Sequence, residues 1–200
     1  MRLETFQARI SDLRIDYELD DSLQAVSGTI TAKVEGEAGK SVVFEVRIGD
    51  DSLVTDSADV DSEGLAKVEF RVNNPKLWYP HGYGDQSLYT VTATLSRDGV
   101  DLHTATRRTG FRKGELIQEP DAVGKTFIFR VNGVDIFCGG SDWIPADSFT
   151  PRVTAEKYRR WLEMLVDGYQ VMIRYVADAR MRACFKQGHR RKPALMLTAD

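Results

Sequence analysis

The sequence predicts a mainly β protein, with an immunoglobulin-like β-sandwich first and the start of a parallel βαβ unit after it. Apolar and polar residues alternate in seven short runs between Ala8 and Arg112, which is the period of strands with one buried face. Turn-forming residues separate the runs at intervals of roughly 8–12 residues, as in a sandwich. After Arg112 the pattern changes to a hairpin, a strand, a helix and a strand, and a basic irregular tail follows.

The composition excludes several classes of protein. The 200 residues are 42% hydrophobic and 28% charged, with a net charge of −3, so no overall positive field favours nucleic acid. No apolar run approaches the ~20 residues of a membrane helix. Cys138 and Cys184 show no metal-ligand spacing. We therefore expect no nucleic-acid or membrane partner, no metal and no cofactor. The segment from Met1 to Phe6 lacks the apolar core of a signal peptide, which predicts a cytoplasmic or otherwise intracellular location.

Each of the seven alternating runs predicts one strand of the sandwich, which we place in residues 1–112. The runs cover residues 9–19, 26–35, 41–48, 53–60, 66–72, 88–96 and 100–107. Between them lie segments with the composition of turns, such as Asp20-Asp21-Ser22 and Ser62-Glu63-Gly64. The dipeptide Asp98-Gly99 is typical of a tight hairpin between the last two strands.

Residues 113–174 predict a second domain that begins within this chain. Asn132-Gly133 predicts a hairpin between the short apolar runs 127–130 and 134–137, and residues 138–142 predict a further strand. Thr154 can cap a helix that ends near Gly168. The helix is predicted by apolar residues at helical spacing: Tyr158, Trp161, Leu162, Leu165 and Val166. Residues 171–173 then start another strand, and two strands joined by a helix are expected to be parallel.

Residues 175–200 form a basic tail for which we predict no regular structure. Six basic and two acidic side chains give this segment a charge of +4, so the preceding 174 residues carry −7. A nucleic-acid-binding arm is the functional alternative. We favour a solvated or disordered tail because no aromatic side chains alternate with the charges.

Two segments carry most of the chemical information. Residues 75–89 read PKLWYPHGYGDQSLY and predict a rigid, aromatic loop that forms either a sugar-stacking surface or, as we favour, a packing surface against a neighbouring domain. Residues 141–149 read SDWIPADSF and follow a strand. In them Asp142 and Asp147 can hydrogen-bond a polyhydroxylated ligand beside Trp143, although a turn role for Asp147 and a core role for Trp143 are at least as common. Arg174 ends the second strand, where a charged residue faces the ligand in barrel enzymes, although a surface arginine is the commoner outcome for an arbitrary position.

The loop closely resembles the sandwich motif of glycoside hydrolase family two. The segments GFR at 110–112, FRVNG at 129–133 and SDWIPADSF at 141–149 resemble the β-mannosidase branch of that family, in its non-secreted form. The resemblance covers roughly residues 8–174 in unbroken order. It is therefore much more specific than any single motif.

The resemblance implies a fold and a function for a longer enzyme. The fold would be a jelly roll, an immunoglobulin-like sandwich, a catalytic (β/α)₈ barrel and further sandwiches, of which this chain would supply the sandwich and the start of the barrel. The function would be retaining hydrolysis of terminal β-linked mannose, without a metal, on mannose-terminated oligosaccharides. The family's substrate-binding positions map to Asp142, Trp143 and Asp147, and its arginine beside the nucleophile maps to Arg174.

The sequence departs from the family directly after Arg174. Family members continue with a Val-Trp-Gly-Gly-Gly-Ile-Tyr-like stretch, whereas this chain reads YVADAR. Retaining glycosidases need two carboxyl groups, and the family places its acid in an Asn-Glu dipeptide that does not occur here. We therefore expect a truncated chain without catalytic residues that is inactive alone. The alternative is a non-catalytic immunoglobulin-like module that binds glycan or protein.

Overall fold

A computed structural model describes residues 5–36, 41–48, 51–144, 147–149, 152–175 and 195–198 of the 200. The chain divides into two compact units. The first unit consists of Met1–Lys76 and Leu88–Phe111, and the second consists of Leu77–Ser87 and Arg112–Asp200. The loop between the fifth and sixth strands of the sandwich therefore belongs to the second unit.

Seven strands build the first unit, and they confirm the predicted sandwich. They form a three-stranded sheet of order β1-β2-β5 and a four-stranded sheet of order β4-β3-β6-β7, and each neighbouring pair is antiparallel. The strands are β1 (Ala8–Leu19), β2 (Ala25–Gly36), β3 (Ser41–Ile48), β4 (Asp51–Asp59), β5 (Leu65–Asn73), β6 (Tyr89–Arg97) and β7 (Val100–Thr109).

One apolar core fills the sandwich because every second side chain of its strands points inward. In β5 and β6 the buried residues alternate strictly with more exposed ones. Phe111, the second residue after β7, is fully buried. Its ring packs 4.5 Å from that of Tyr89 and 5.0 Å from that of Tyr17, measured between centroids, so the end of this unit is anchored in its core.

The hairpin dipeptide Asp98-Gly99 joins β6 to β7 as its sequence predicts. Both residues have positive φ, 53° and 79°, which is the backbone of the tight turn that suits the right-handed twist of paired strands. Arg97 pairs with Val100 across the turn.

The second unit opens with a small antiparallel sheet of order β10-β9-β8. The sheet contains β8 (Gly114–Ile117), β9 (Ile128–Val131) and β10 (Val134–Ile136). Asn132 and Gly133 have φ values of 51° and 78° and form the predicted hairpin turn between β9 and β10. The sequence does not predict β8.

A strand, a helix and a strand follow, as the sequence predicts. They are β11 (Gly140–Trp143), α1 (Ala155–Asp167) and β12 (Met172–Tyr175), and β11 and β12 pair in parallel. The Thr154 hydroxyl accepts a hydrogen bond from the Lys157 N–H at 3.3 Å and caps the helix. Gly168 follows the last helical residue with φ of −81°, and the left-handed residue is the next one, Tyr169, with φ of 55°.

The strand β13 (Leu195–Thr198) pairs in parallel with β12. It lies in the segment for which the sequence predicts an irregular tail. Residues 176–194, 199 and 200, which carry the charges of that tail, lie outside the described residues. In the described residues, no helix has both the length and the apolar character required to cross a membrane.

Candidate functional site

The pairing of β11 with β12 brings two of the predicted site residues together. Asp142 and Arg174 occupy paired positions, two residues after the pair Gly140 and Met172. Glycine is required at position 140 because a Cβ there would lie 1.9 Å from the Met172 carbonyl oxygen. The two strands are therefore close, and both charged residues lie near their carboxyl ends, where parallel sheets place ligands.

Asp142 and Arg174 present opposite charges to solvent. The Arg174 Nη1 lies 3.9 Å from the Asp142 Oδ1, and the two side chains are 68% and 71% exposed. An exposed pair at this distance contributes on the order of 0–1 kcal/mol of stability, so little holds the two groups to each other. A guanidinium that only donates and a carboxylate that only accepts are together able to bind neighbouring hydroxyls of a sugar.

Trp143 faces the opposite side of the strand and packs beneath the site. The side chain is 8% exposed, and its ring centroid lies 5.8 Å from that of Tyr158 and 5.3 Å from that of Trp161, both on α1. Val153 and Ile173 belong to the same core. Alternation along the strand explains the contrast with Asp142. Trp143 therefore supports the strand that carries Asp142.

Asp147 is engaged in the loop that precedes α1. Its Oδ1 accepts a hydrogen bond from the Phe149 N–H at 2.8 Å and another from the Arg152 Nη2 at 3.1 Å. The Phe149 amide first, and the Arg152 guanidinium second, lower the pKa of the Asp147 carboxyl below its usual value. These bonds form a turn, which is the alternative role that the sequence offers for Asp147.

The aromatic loop of residues 77–87 is closed on itself. Trp78 and Gln86 form an isolated β-bridge, and the Tyr79 N–H donates to the Asp85 carbonyl at 2.9 Å. A turn at its tip is closed by the Tyr83 N–H, which donates to the Pro80 carbonyl at 3.1 Å. These contacts close the loop, which its prolines and glycines predict to be rigid.

Asn132 holds this loop against the small sheet of the second unit. Its side chain is buried, with Nδ2 donating to the Trp78 carbonyl at 3.0 Å and Oδ1 accepting from the Lys113 N–H at 2.8 Å. The Arg112 guanidinium lies 4.6 Å from the centroid of the Trp78 ring. Sequence reasoning missed this role because Asn132-Gly133 signals only a turn. A left-handed Asn whose side-chain amide bonds two backbone groups leaves no periodic signal.

The described residues offer little to a metal ion. Among them no three His, Cys, Asp or Glu side chains come together. Burial raises the pKa of the Cys138 thiol, which keeps it in the neutral form, a poor metal ligand.

Residues 8–112 match the family described as glycosyl hydrolases family 2. The chain belongs to this family. The match covers the sandwich from its first strand to Arg112, directly after the buried Phe111.

The curated relatives of this family 2 chain include fungal β-mannosidases. It is 44% identical to β-mannosidase B of Aspergillus clavatus over 197 residues, which are 94% of this chain and 23% of that protein. It is 46% identical to β-mannosidase B of Aspergillus fumigatus over 178 residues, 87% of this chain and 21% of that protein. The chain thus spans less than a quarter of the length of these relatives.

Solved structures of glycosidases share the fold. The β-D-mannosidase of Dictyoglomus thermophilum superimposes with a TM-score of 0.80 and 27% identity, over 96% of this chain and 24% of that one. The β-glucuronidase of Parabacteroides merdae superimposes with a TM-score of 0.70 at 18% identity, over 84% of this chain and 21% of that one. The second likeness shows the fold alone.

Proposed function

We propose that this chain is the sandwich and the barrel start of a retaining β-mannosidase, in which Asp142 and Arg174 bind the terminal mannose. The observation that carries the proposal is the paired placement of these two exposed, opposite charges at the carboxyl ends of adjacent parallel strands. In a (β/α)₈ barrel, that end of the strands forms the active site. The names of the fungal relatives support mannose as the sugar.

Within this proposal the other two candidate residues, Trp143 and Asp147, do not contact the sugar directly. Trp143 stacks on the helix and fixes the back of β11. Asp147 shapes the loop after β11 through its bonds to Phe149 and Arg152. We therefore expect substitutions of Asp142 or Arg174 to weaken sugar binding directly, and substitutions of Trp143 to act through the fold.

Residues 1–200 alone should not hydrolyse a glycoside. Retention requires an acid/base carboxyl and a nucleophilic carboxyl roughly 5–5.5 Å apart, and by resemblance the acid would lie in an Asn-Glu dipeptide that these residues do not contain. Purified chain is expected to release no aryl leaving group from an aryl β-mannoside above the solvent rate. Turnover that survives repurification and disappears in Asp142→Asn would contradict this expectation.

A chimera tests the proposed function in a complete enzyme. Residues 8–174 of this chain would replace the aligned segment of the Aspergillus clavatus β-mannosidase B, and kcat/KM would be measured on an aryl β-mannoside and an aryl β-glucoside. We expect activity that prefers the mannoside. In the chimera, Asp142→Asn or Arg174→Ala should lower kcat/KM roughly ten- to hundredfold, the usual loss for a hydrogen bond to a charged group.

Matched control substitutions distinguish an effect on the sugar site from the effect of removing a charge anywhere on the surface. Arg159→Ala and Glu163→Gln remove the same kinds of charge from exposed positions of α1, and both should leave kcat/KM within twofold. A folded chimera that cleaves the mannoside equally well with and without Arg174 would refute its proposed role. A folded chimera without mannosidase activity would refute the function.

The non-catalytic module is less well supported by the arrangement of aromatic residues. A glycan-binding sandwich would be expected to expose a row of aromatic rings. In the described part of the first unit, one aromatic residue, Phe6, is among the large apolar side chains that are exposed, so no row of aromatic rings is present there. The aromatic loop instead buries Trp78 and contacts residues after Arg112 within the second unit.

A further inference from the structure

The register of β11 against β12 is constrained by the burial of Trp143 and Ile173 and by the segment that leads into β11. These strands share four paired positions, and the Asp142–Arg174 pair at their end is exposed and separated by 3.9 Å. An exposed ion pair of that kind is too weak to fix a register. Because side chains alternate along a strand, a slip of one residue would move Asp142 into the core and Trp143 to the surface.

The Gly139 carbonyl fixes where the pairing begins. It accepts hydrogen bonds from the N–H groups of Val171 at 2.8 Å and Met172 at 3.2 Å. The Gly139 N–H in turn donates to the Phe137 carbonyl at 2.9 Å. The two residues Phe137 and Gly139 are thus joined by a local bond, and Gly139 is joined to the start of β12.

The Tyr83 hydroxyl holds the other end of this connection. Its oxygen accepts a hydrogen bond from the Phe137 N–H at 2.9 Å, at the first residue after β10. The Phe137 side chain is 83% exposed, so burial of its ring does not anchor this segment. The loop of residues 77–87 is itself anchored by Asn132 through the Trp78 carbonyl. A continuous series of hydrogen bonds therefore leads from the aromatic loop to the paired strands.

We propose that Tyr83 is a positioning residue, whose phenol oxygen holds Phe137 and thereby sets the register that places Asp142 beside Arg174. The importance of that register for sugar binding rests on the proposed function, but the register itself does not. The aromatic loop, which interrupts the sandwich strands in sequence, then serves to position β11, the first strand of the parallel sheet in the same unit.

Tyr83→Phe in the full 200-residue chain tests the proposal, with Tyr79→Phe as the matched control. Both variants remove one hydroxyl from the same loop, and Tyr79→Phe keeps the ring that leaves no room for a Cβ at Gly84, which would lie 2.9 Å from it. In the described residues the Tyr79 hydroxyl makes no hydrogen bond, whereas that of Tyr83 bonds the Phe137 amide. Native-state hydrogen exchange would be measured at the Val171 and Met172 amides, which donate to Gly139.

We expect Tyr83→Phe to speed exchange at Val171 and Met172 roughly three- to tenfold, the effect of one lost hydrogen bond. Exchange at Val91 in β6 should not change, and Tyr79→Phe should change neither. The proposal would be overturned if the Val171 and Met172 amides of Tyr83→Phe exchanged at the wild-type rate. It would also be overturned if Tyr79→Phe accelerated their exchange as much as Tyr83→Phe does.

A second readout separates positioning from simple loss of stability. The nuclear Overhauser effect between the paired backbones of Asp142 and Arg174 reports the register in the folded molecules. The nuclear Overhauser effect between the paired backbones of Phe44 and Ala93 in the sandwich is the internal reference. Tyr83→Phe should weaken the first relative to the second by at least twofold. An unchanged ratio would assign Tyr83 a purely stabilising role and refute the positioning role. Neither readout depends on sugar, so a failure of the proposed function would not affect them.

Discussion

Trp78 is a buried side chain of the aromatic loop. The side chain is 4% exposed, and Arg112 stacks on its ring. Trp78→Ala should lower the free energy of unfolding by roughly 3–5 kcal/mol, as large truncations in a core do. Urea denaturation followed through amide signals of the second unit, such as those of Val131 and Trp143, would measure the loss.

Phe137→Ala is the matched control for Trp78→Ala, because it removes an aromatic ring that is 83% exposed in the same unit. It should change the free energy of unfolding by less than about 0.5 kcal/mol. A Trp78→Ala loss as small as that of the control would show that the loop is not part of the folded core.

Asp147 makes the loop before α1 sensitive to acid. Its carboxyl has a pKa below the usual value, chiefly because the Phe149 N–H bonds the charged form and secondly because Arg152 does. A carboxyl whose pKa is lowered by folding stabilises the fold above its ordinary pKa of about 3.9, and that stability is lost as the pH falls through the folded value. Arg152→Ala should raise the pKa of Asp147 but leave it below the ordinary value, since the larger cause remains.

The pKa of Asp147 can be followed through the NMR shift of its carboxyl carbon. Arg159→Ala, on the exposed face of α1, serves as the control and should leave the pKa unchanged. A pKa in Arg152→Ala equal to that of an unstructured Asp would show that the Phe149 bond contributes nothing.

At the level of single residues the sequence was informative where side-chain chemistry is local. Thr154 as a helix cap and Asn132-Gly133 as a turn follow from bonds to the nearest backbone. The bond from the Asn132 side chain to the Trp78 carbonyl and the bond from Phe137 to Tyr83 could not be predicted. Each joins residues that are 54 positions apart in the sequence. The site assignments for Asp142, Trp143, Asp147 and Arg174 remain predictions.

The pair of strands β11 and β12 depends on a close approach that tolerates only glycine. A Cβ at position 140 would lie 1.9 Å from the Met172 carbonyl oxygen, which is backbone and not able to rotate away. Gly140→Ala should therefore separate the strands, lower the free energy of unfolding of the second unit by about 1–3 kcal/mol or more, and speed amide exchange at Val171.

Gly114→Ala is the matched control for the glycine at position 140, because a Cβ there meets no atom within 4 Å. It should leave exchange at Val171 at the wild-type rate. Wild-type exchange in Gly140→Ala would mean that β11 and β12 are not paired in this register in solution.

Strands and helices were predictable from the sequence where their alternation of apolar and polar residues extends over many residues. The sandwich strands run for 8 to 12 residues, so the alternation of buried and exposed positions is long enough to read. By contrast, β8 has four residues, of which none is buried, and so short a segment has no distinct period. The left-handed Tyr169 after α1 was also unpredictable, because glycine at 168 is the usual residue for that conformation.

At the scale of the whole molecule, the change of pattern at Arg112 predicts a boundary between two domains, and the bounds of those domains stay a prediction. The sequence does not assign residues 77–87 to the second unit, in which the structure places them. The sequence predicts a rigid loop packed on a neighbouring domain, but not the bonds to Asn132 and Phe137 that attach it. Such bonds depend on where distant segments meet, and strand patterns carry no information on that.

The two units are expected to differ in stability. The sandwich core contains nineteen buried apolar residues among those described, whereas the core between α1 and the parallel sheet contains four: Trp143, Val153, Tyr158 and Ile173. Local opening costs less where fewer apolar groups are exposed by it. Amides of residues 171–174 should therefore exchange faster than those of residues 91–95, by roughly a hundredfold for every 2.7 kcal/mol between the two opening free energies. Native-state hydrogen exchange on the complete chain measures both at once, and equal protection would establish a single cooperative unit instead.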